Sequence, residues 1–297
     1  MKELIEKVNN NLEKFMDIKY PENIFKSMKY TVMLPGKRLR PIMCLEACRI
    51  FGGNQEDAMP VACAIEMLHA QSLIHDDLPC MDNDDFRRGK ASNHKVFGEA
   101  VAVLAGDALL SYAPQLIIEK SVNLSDETKL KVLLEYTKTA GAYGLIAGQV
   151  SDIESEGWGK YMDINSDDEL VTKKATLEFI HTHKTADLFR LALKAGAIIA
   201  RATDEQLQEM DTLAQKFGIA FQIYDDILDE ISTFEELGKT VGKDKNSNKL
   251  TYTSLYGLEE ARNKFNSLFD EIHDIIGKYN SVILESILGD MKKKLDK

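Results

Sequence analysis

Residues 207–229 read LQEMDTLAQKFGIAFQIYDDILD. Leu207, Met210, Leu213, Phe217, Phe221, Tyr224 and Leu228 recur at steps of three or four, the period of one helix face. The stretch ends in acid. Gln222, Asp225, Asp226 and Asp229 stand at i, i+3, i+4 and i+7, so they share a face of the same helix. Like charges at this spacing destabilise a helix unless something neutralises them. Taken alone, the cluster reads either as a metal site or as a solvated acidic face.

Outward from this helix the periodicity stays helical almost everywhere. Leu177, Ile180, Leu188, Leu191 and Ala195 form a second stripe. No Val/Ile/Thr alternation bounded by hairpin turns occurs, so no strand is expected. Loop signals are short: Gly52-Gly53-Asn54 with Asp57 as a nearby cap, Gly157-Trp158-Gly159 followed by Asn165-Ser166-Asp167-Asp168, and Lys243 to Lys249. No composition shift divides the chain. The expectation is one all-α domain over residues 1–297, with helices surrounding a core or central cavity.

The charge balance of −11 argues against nucleic acid as a partner. An anionic substrate would therefore be held by local basic residues or by metal. The N-terminal run Met1-Lys2-Glu3-Leu4-Ile5-Glu6-Lys7 lacks a signal-peptide core. The most apolar stretch, Ala100 to Ile118, is interrupted by Asp107 and Pro114, so no integral membrane segment is expected. Cys44, Cys48, Cys63 and Cys80 show no zinc-ligand spacing. Cys44 and Cys48 read as small buried residues in a reducing, cytoplasmic protein.

A second acidic cluster lies about 150 residues upstream: Asp76-Asp77-Leu78-Pro79-Cys80-Met81-Asp82. On an ideal helix Asp76 and Asp82 would be about 120° out of register. Pro79 removes a backbone donor and disfavours helical geometry at Leu78. The helix should bulge or end here, which would swing Asp82 back toward Asp76 and Asp77. A plain helix end followed by the acidic loop Asp82-Asn83-Asp84-Asp85 is the alternative. Mg²⁺ takes carboxylates together with substrate phosphates, so two such clusters facing each other would clamp a diphosphate. Two basic groups accompany them, Phe86-Arg87-Arg88-Gly89-Lys90 and Gly36-Lys37-Arg38-Leu39-Arg40-Pro41, and arginine suits phosphate oxygens.

The order GKRLRP, HAQSLIHDDLPCMDNDDFRRGK, GQ, HTHKT, FQIYDDILD, GKTVGKD resembles the short-chain trans-isoprenyl diphosphate synthases of the polyprenyl synthetase family. The resemblance runs from about Lys37 to Tyr252. It implies the isoprenoid synthase fold, one polyprenyl synthetase domain over residues 1–297, and a homodimer. It also implies Mg²⁺-dependent condensation of isopentenyl diphosphate with an allylic diphosphate, by ionisation, condensation and deprotonation. By that resemblance Asp76 and Asp82, with Asp77 nearby, bind Mg²⁺ on one side of the allylic diphosphate. Asp225 does so on the other, assisted by Asp226 and Asp229. Arg87 contacts the allylic diphosphate, while Lys37, Arg40, His69 and Arg88 hold isopentenyl diphosphate. Lys184 and Lys239 add positive charge, with Lys243 a further candidate. Thr185 and Gln222 present oxygens to the developing allylic cation. Thr185 can also bond back to the preceding turn and bend its helix. His181 and His183 read as surface residues.

In this family the residues just before the first cluster, here Gln71 and Ser72, help set the product length. Farnesyl diphosphate (C15) is the expected product. Geranylgeranyl diphosphate (C20) is the alternative, because Gln71 stands where many bacterial farnesyl-forming relatives carry a bulky aromatic. Relatives also usually have Pro where this chain has Thr253. A class I terpene cyclase and a non-catalytic partner subunit are further alternatives. Cyclases usually carry a different second site, and such subunits tend to lose an aspartate cluster; both clusters are intact here. Gln71→Tyr is expected to shorten the product. Direct measurement of product chain length checks this, and an unchanged spectrum would place the tunnel floor elsewhere.

Overall fold

The computed structural model describes residues 1–156, 169–231 and 249–296. Within them the protein is helical, as the periodicity requires. The chain divides into two compact units, Met1–Tyr136 with Ala192–Asp204, and Thr137–Leu191 with Glu205–Lys297.

The first unit is built on α1 (Lys2–Phe15), α2 (Glu22–Val32), α3 (Leu39–Ile50), α4 (Gln55–Asp76), α5 (Asn93–Phe97), α6 (Glu99–Lys120) and most of α7 (Asp126–Ala140). α4 is its axis. Every residue from Ala58 to Leu68 is buried, Glu66 included. A helix apolar on all sides must be covered on all sides, and α3, α6, α1 and α2 do this. The cap of α4 is Asn54, whose side chain accepts from the Glu56 N–H at 3.1 Å. Asp57, the expected cap, lies within the first turn instead. Pro79 and the acids beyond Ile74 stop the helix at Asp76.

Among the described residues the expectation of no strand fails in one place. β1 (Phe86–Arg87) and β2 (Lys90–Ala91) pair antiparallel, Phe86 with Ala91 and Arg87 with Lys90. Two-residue strands are too short to show alternation. Their turn residues, Arg88 and Gly89, have φ of 54° and 74°, the doubly left-handed geometry that two-residue hairpins favour.

α6 also departs from its reading. Despite Asp107 and Pro114 it is long and apolar enough, by length and composition, to cross a membrane. In this unit Ala102, Ala105, Leu109, Ala113 and Leu116 are buried, and the helix packs on α4 and α2. Val103, Leu104 and Ile118 are exposed. Cys44, Cys48 and Cys63 are buried, Cys80 is exposed, and all four are free thiols.

The second unit holds α8 (Leu145–Glu156), α9 (Glu169–Ile180), a π-helical turn (His181–Ala186), the first turn of α10 (Asp187–Ile199), nearly all of α11 (Asp204–Ile231), α12 (Tyr252–Tyr256), α13 (Leu258–Gly277) and α14 (Val282–Leu295). Met210, Leu213, Phe217, Tyr224 and Leu228 of α11 are buried, as their spacing predicts. Phe189 packs on Phe217 with ring centroids 5.1 Å apart and on Phe221 at 5.3 Å.

Two glycines clamp the π turn. A Cβ on Gly148 of α8 would lie 2.3 Å from the backbone N of Lys184. One on Gly218 of α11 would lie 2.3 Å from the Cα of Ala186. Backbone cannot rotate aside as a side chain can. A π turn breaks the regular ladder and recurs at functional sites; here both walls lack the atom that would push it out. Gly218→Ala is expected to cost about 1–3 kcal/mol through overpacking. Urea unfolding of the two proteins measures it, and equal midpoints with equal slopes would show that the contact relaxes freely.

Candidate active site

The first aspartate cluster is a backbone hook. Past the end of α4, the Asp82 N–H donates to the Asp76 carbonyl at 2.9 Å, and the Asp84 N–H to that of Asp77 at 3.2 Å. Met81 and Asn83 both donate to the Leu78 carbonyl, at 2.9 and 3.0 Å. Asn83 closes the turn with φ of 50°, which asparagine tolerates better than most residues. The break at Pro79 thus returns Asp82 to Asp76, as expected from sequence.

Inside the hook, Asp77 is buried and belongs to Arg87. The guanidinium donates to Asp77 Oδ1 through Nε at 2.9 Å and through Nη2, and Nη2 lies 3.4 Å from Asp84 Oδ2. Burial pushes the Asp77 carboxyl up to about 6, against the pull of Arg87, with Asp84 and Asp76 adding to the rise. Asp77 therefore fixes Arg87 at the mouth of the hook, whereas Asp76 and Asp82 are half-buried.

Four of the predicted basic-site residues, Lys37, Arg40, His69 and Arg88, are in this unit too. Arg88 Nη2 lies 3.2 Å and Arg40 Nη1 3.5 Å from His69 Nε2. Guanidinium nitrogens only donate, so Nε2 accepts and the ring proton sits on Nδ1. Burial, then Arg40, Arg88, Arg87 and Arg38, hold the His69 pKa well below its ordinary value, so the ring is neutral. Lys37 is exposed. Gln71 is buried, and its Nε2 lies 3.1 Å from His75 Nδ1. His75 in turn places Nε2 3.1 Å from the Val103 carbonyl. Ser72 bonds the His69 carbonyl at 2.9 Å.

The second unit carries a separate polar system around the π turn. The Thr185 hydroxyl donates to Gln222 Oε1 at 2.7 Å rather than back to its own helix. Gln222 Nε2 donates to Asp226 Oδ1 at 2.9 Å, and the Tyr252 N–H to Asp226 Oδ2 at 2.8 Å. His181 is buried, not at the surface, with Nε2 3.6 Å from Asp226 Oδ2. Both oxygens of Asp226 therefore serve protein donors, and it anchors the π turn and α12 to α11. Asp229 is buried and Asp225 half-buried on the same helix end. His183 is half-buried and bonds Asp187 at 2.8 Å; Asp187 also takes Arg190 at 2.9 Å.

Lys184 donates to Asp152, which is 2% exposed. Lys249 reaches the same carboxylate at 3.1 Å and Glu156 at 3.6 Å. Burial pushes the Asp152 carboxyl up, but Lys184 and Lys249 outweigh it and hold the pKa below the ordinary aspartate value. Sequence reading missed both Asp152 and Lys249. The signal for Asp152 was present: a lone acid in the apolar run Leu145 to Ile153 must be paired. Lys239 and Lys243 lie outside the described residues.

Among the described residues no three His, Cys, Asp or Glu side chains close on one point as a cage would. Hard oxygen donors in ones and twos are what Mg²⁺ uses, completed by water and substrate phosphates. Asp76 and Asp82 in the hook, and Asp225 and Asp229 at the end of α11, fit that demand.

The family model for polyprenyl synthetases matches residues 21–286. The chain is 48% identical over 266 residues to a dimethylallyltranstransferase of Fischerella ambigua, covering 90% of this chain and 74% of that one. It is 45% identical over 273 residues to a chloroplastic geranylgeranyl pyrophosphate synthase of Catharanthus roseus, covering 92% and 73%. The fold matches a geranyltransferase from Helicobacter pylori, solved in complex with magnesium and isoprenyl diphosphate, at a TM-score of 0.80 and 29% identity over 99% of this chain and 96% of that one.

Asp152→Asn leaves two lysines beside a neutral amide, and losing one partner of a buried pair costs about 3 kcal/mol or more. A carboxylate with a lowered folded pKa stabilises above its unfolded pKa and loses that contribution as pH falls through the folded value. The stability gap between the two proteins should hold at neutral pH and narrow only below about pH 4. Denaturant titrations across pH check this; a gap absent at pH 7 would show that Asp152 holds neither lysine.

Proposed function

The chain belongs to the polyprenyl synthetase family, and on that premise we propose that it elongates an allylic diphosphate with isopentenyl diphosphate in a Mg²⁺-dependent reaction. Membership makes it a prenyltransferase of isoprenoid biosynthesis. The observation that carries the finer reading lies on α4. His69, in the basic pocket, and Asp76, in the acidic hook, are seven residues apart on one helix face, about 10 Å along the axis. A metal-assisted anion site and a purely basic one, two turns apart, suit a reaction between two diphosphates.

In this scheme Lys37, Arg40 and Arg88 hold the isopentenyl diphosphate, beside a neutral His69 that adds no further charge. Asp76 and Asp82 would hold Mg²⁺ with the allylic diphosphate, while Asp77 keeps Arg87 aimed at the same anion; in the second unit, Asp225 and Asp229 offer Mg²⁺ the same kind of carboxylate pair. Bound Mg²⁺ would neutralise charge on the leaving diphosphate. Lys184, held by Asp152, adds to that stabilisation, as does Lys239. The allylic C–O bond breaks, the isopentenyl double bond supplies the electrons for the new C–C bond, and a proton leaves to the departing diphosphate. Thr185 commits its hydroxyl proton to Gln222, so what it offers a cation is oxygen lone pairs. Such weak dipoles stabilise a carbocation without capturing it.

The product proposed is farnesyl diphosphate, a reading supported by the burial of Gln71 and its contact with His75 on the helix that carries Asp76. Geranylgeranyl diphosphate is the second reading, favoured by the names of relatives at about the same identity as the Catharanthus enzyme. The whole chain is read as one catalytic domain. A cytoplasmic location is supported by the free thiols. A homodimer is supported by the exposed Val103, Leu104 and Ile118 of α6 with Leu130 and Leu134 of α7, apolar area that a soluble chain tends to cover.

Incubation with Mg²⁺, isopentenyl diphosphate and each allylic starter tests the reading, with product chains measured directly. Elongated diphosphates are expected; hydrocarbon formed from farnesyl diphosphate alone would identify a cyclase instead. Asp225→Ala is expected to lower turnover by orders of magnitude with an unchanged helical circular dichroism spectrum, and full activity at saturating Mg²⁺ would exclude the second cluster from the chemistry.

A further inference from the structure

Glu66 is a buried acid beside the basic residues assigned to an anion. Its side chain is 4% exposed, in the middle of the buried stretch of α4, one turn before His69. A carboxylate there repels diphosphate, so its presence needs a compensating role. Arg38 and Arg88 supply one. Arg38 Nη1 donates to Glu66 Oε1 at 2.6 Å, and Arg88 Nη1 lies 4.0 Å from the same oxygen.

Both arginines sit on left-handed backbone, Arg38 at φ 51° and Arg88 at φ 54°. Non-glycine residues adopt that region at a cost and keep it only where surroundings over-determine it. For Arg38 the surroundings are on the page. Nε donates to Asn9 at 2.8 Å, Nη1 to Glu66, and Nη2 to the Leu34 carbonyl at 2.9 Å. Its own carbonyl accepts the Ile42 N–H at 3.1 Å and so starts α3. For Arg88, Nη2 meets His69, and the guanidinium lies over Gly36 so closely that a Cβ there would be 2.7 Å from Nη1. Two loops far apart in sequence thus converge on one carboxylate.

We propose that Glu66 is a positioning residue for isopentenyl diphosphate: by binding Arg38 and drawing Arg88 over Gly36, it sets the geometry of the basic pocket without touching substrate. This rests on the pocket assignment made above. Of the run Lys37-Arg38-Leu39-Arg40, Arg38 is then the member consumed by the fold. The sign of the effect separates this from simple electrostatics. If Glu66 were only a counter-charge, removing it would tighten anion binding. If it positions, removing it loosens binding.

Steady-state kinetics of Glu66→Gln decide between them. The KM for isopentenyl diphosphate should rise about tenfold, with kcat and the KM for the allylic substrate changed by less than about twofold. Gly36→Ala is the companion variant, because its new Cβ meets only the far end of the Arg88 side chain. It should give the same selective rise with an unchanged melting temperature, and it decides alone if Glu66→Gln does not fold. An unchanged or lower KM for isopentenyl diphosphate in a folded variant overturns the inference while leaving the proposed reaction intact. A wild-type chain that elongates no starter overturns the pocket assignment, and this inference with it.

Discussion

Glu66 and Arg38 pair where neither reaches solvent, and the first unit takes its functional shape from that contact. A buried ion pair is weak evidence for stability, because desolvation offsets much of the Coulomb attraction. Its effect here is on geometry. Arg38 is held on left-handed backbone at the N-terminus of α3, and the loop preceding it lies under Arg88. The same principle recurs at Asp77 with Arg87 and at Asp152 with Lys184 and Lys249. In these two cases a buried carboxylate fixes cations that are themselves only partly buried. With an overall charge of −11 the chain has no general attraction for anions, so a diphosphate site depends on cations fixed one by one.

A second constraint is steric. The π turn at His181–Ala186 brings Lys184 and Thr185 forward only because Gly148 and Gly218 let two helix backbones approach it. Thr185, Gln222, Asp226 and Tyr252 then form one chain of hydrogen bonds across the turn, α11 and the start of α12. This rigid support suits a reaction through a carbocation, where a misplaced water or lone pair ends the chemistry early.

The sequence made much of this legible. The hook at Asp76–Asp82 followed from Pro79, since a proline there removes the donor a continuing helix needs. The face shared by Gln222 and Asp226 followed from helical spacing, and the bond between them is an i,i+4 contact. Other residues were misread because their partners lie far along the chain. His181 looked like a surface histidine, yet Asp226 receives it 45 residues later. The hairpin at Phe86–Ala91 escaped notice because strands of two residues carry no period.

Helical period and the order of acidic and basic motifs determined, by themselves, an all-α protein with two aspartate clusters and the motif order of the polyprenyl synthetases. Both are local properties: the period is written every three or four residues, and each cluster is contiguous. Only the tertiary structure decided which charged residues the fold keeps for itself. Arg38 and Arg40 are the same residue type two positions apart in GKRLRP, as Asp225 and Asp226 are neighbours in YDDILD, and only the family resemblance, not the local pattern, tells them apart along the chain. Arg38 is claimed by Glu66 from 28 residues away, and Asp226 by the Tyr252 N–H from 26 residues away. Burial and pairing are set by non-local contacts, and no reading of neighbours along the chain contains them.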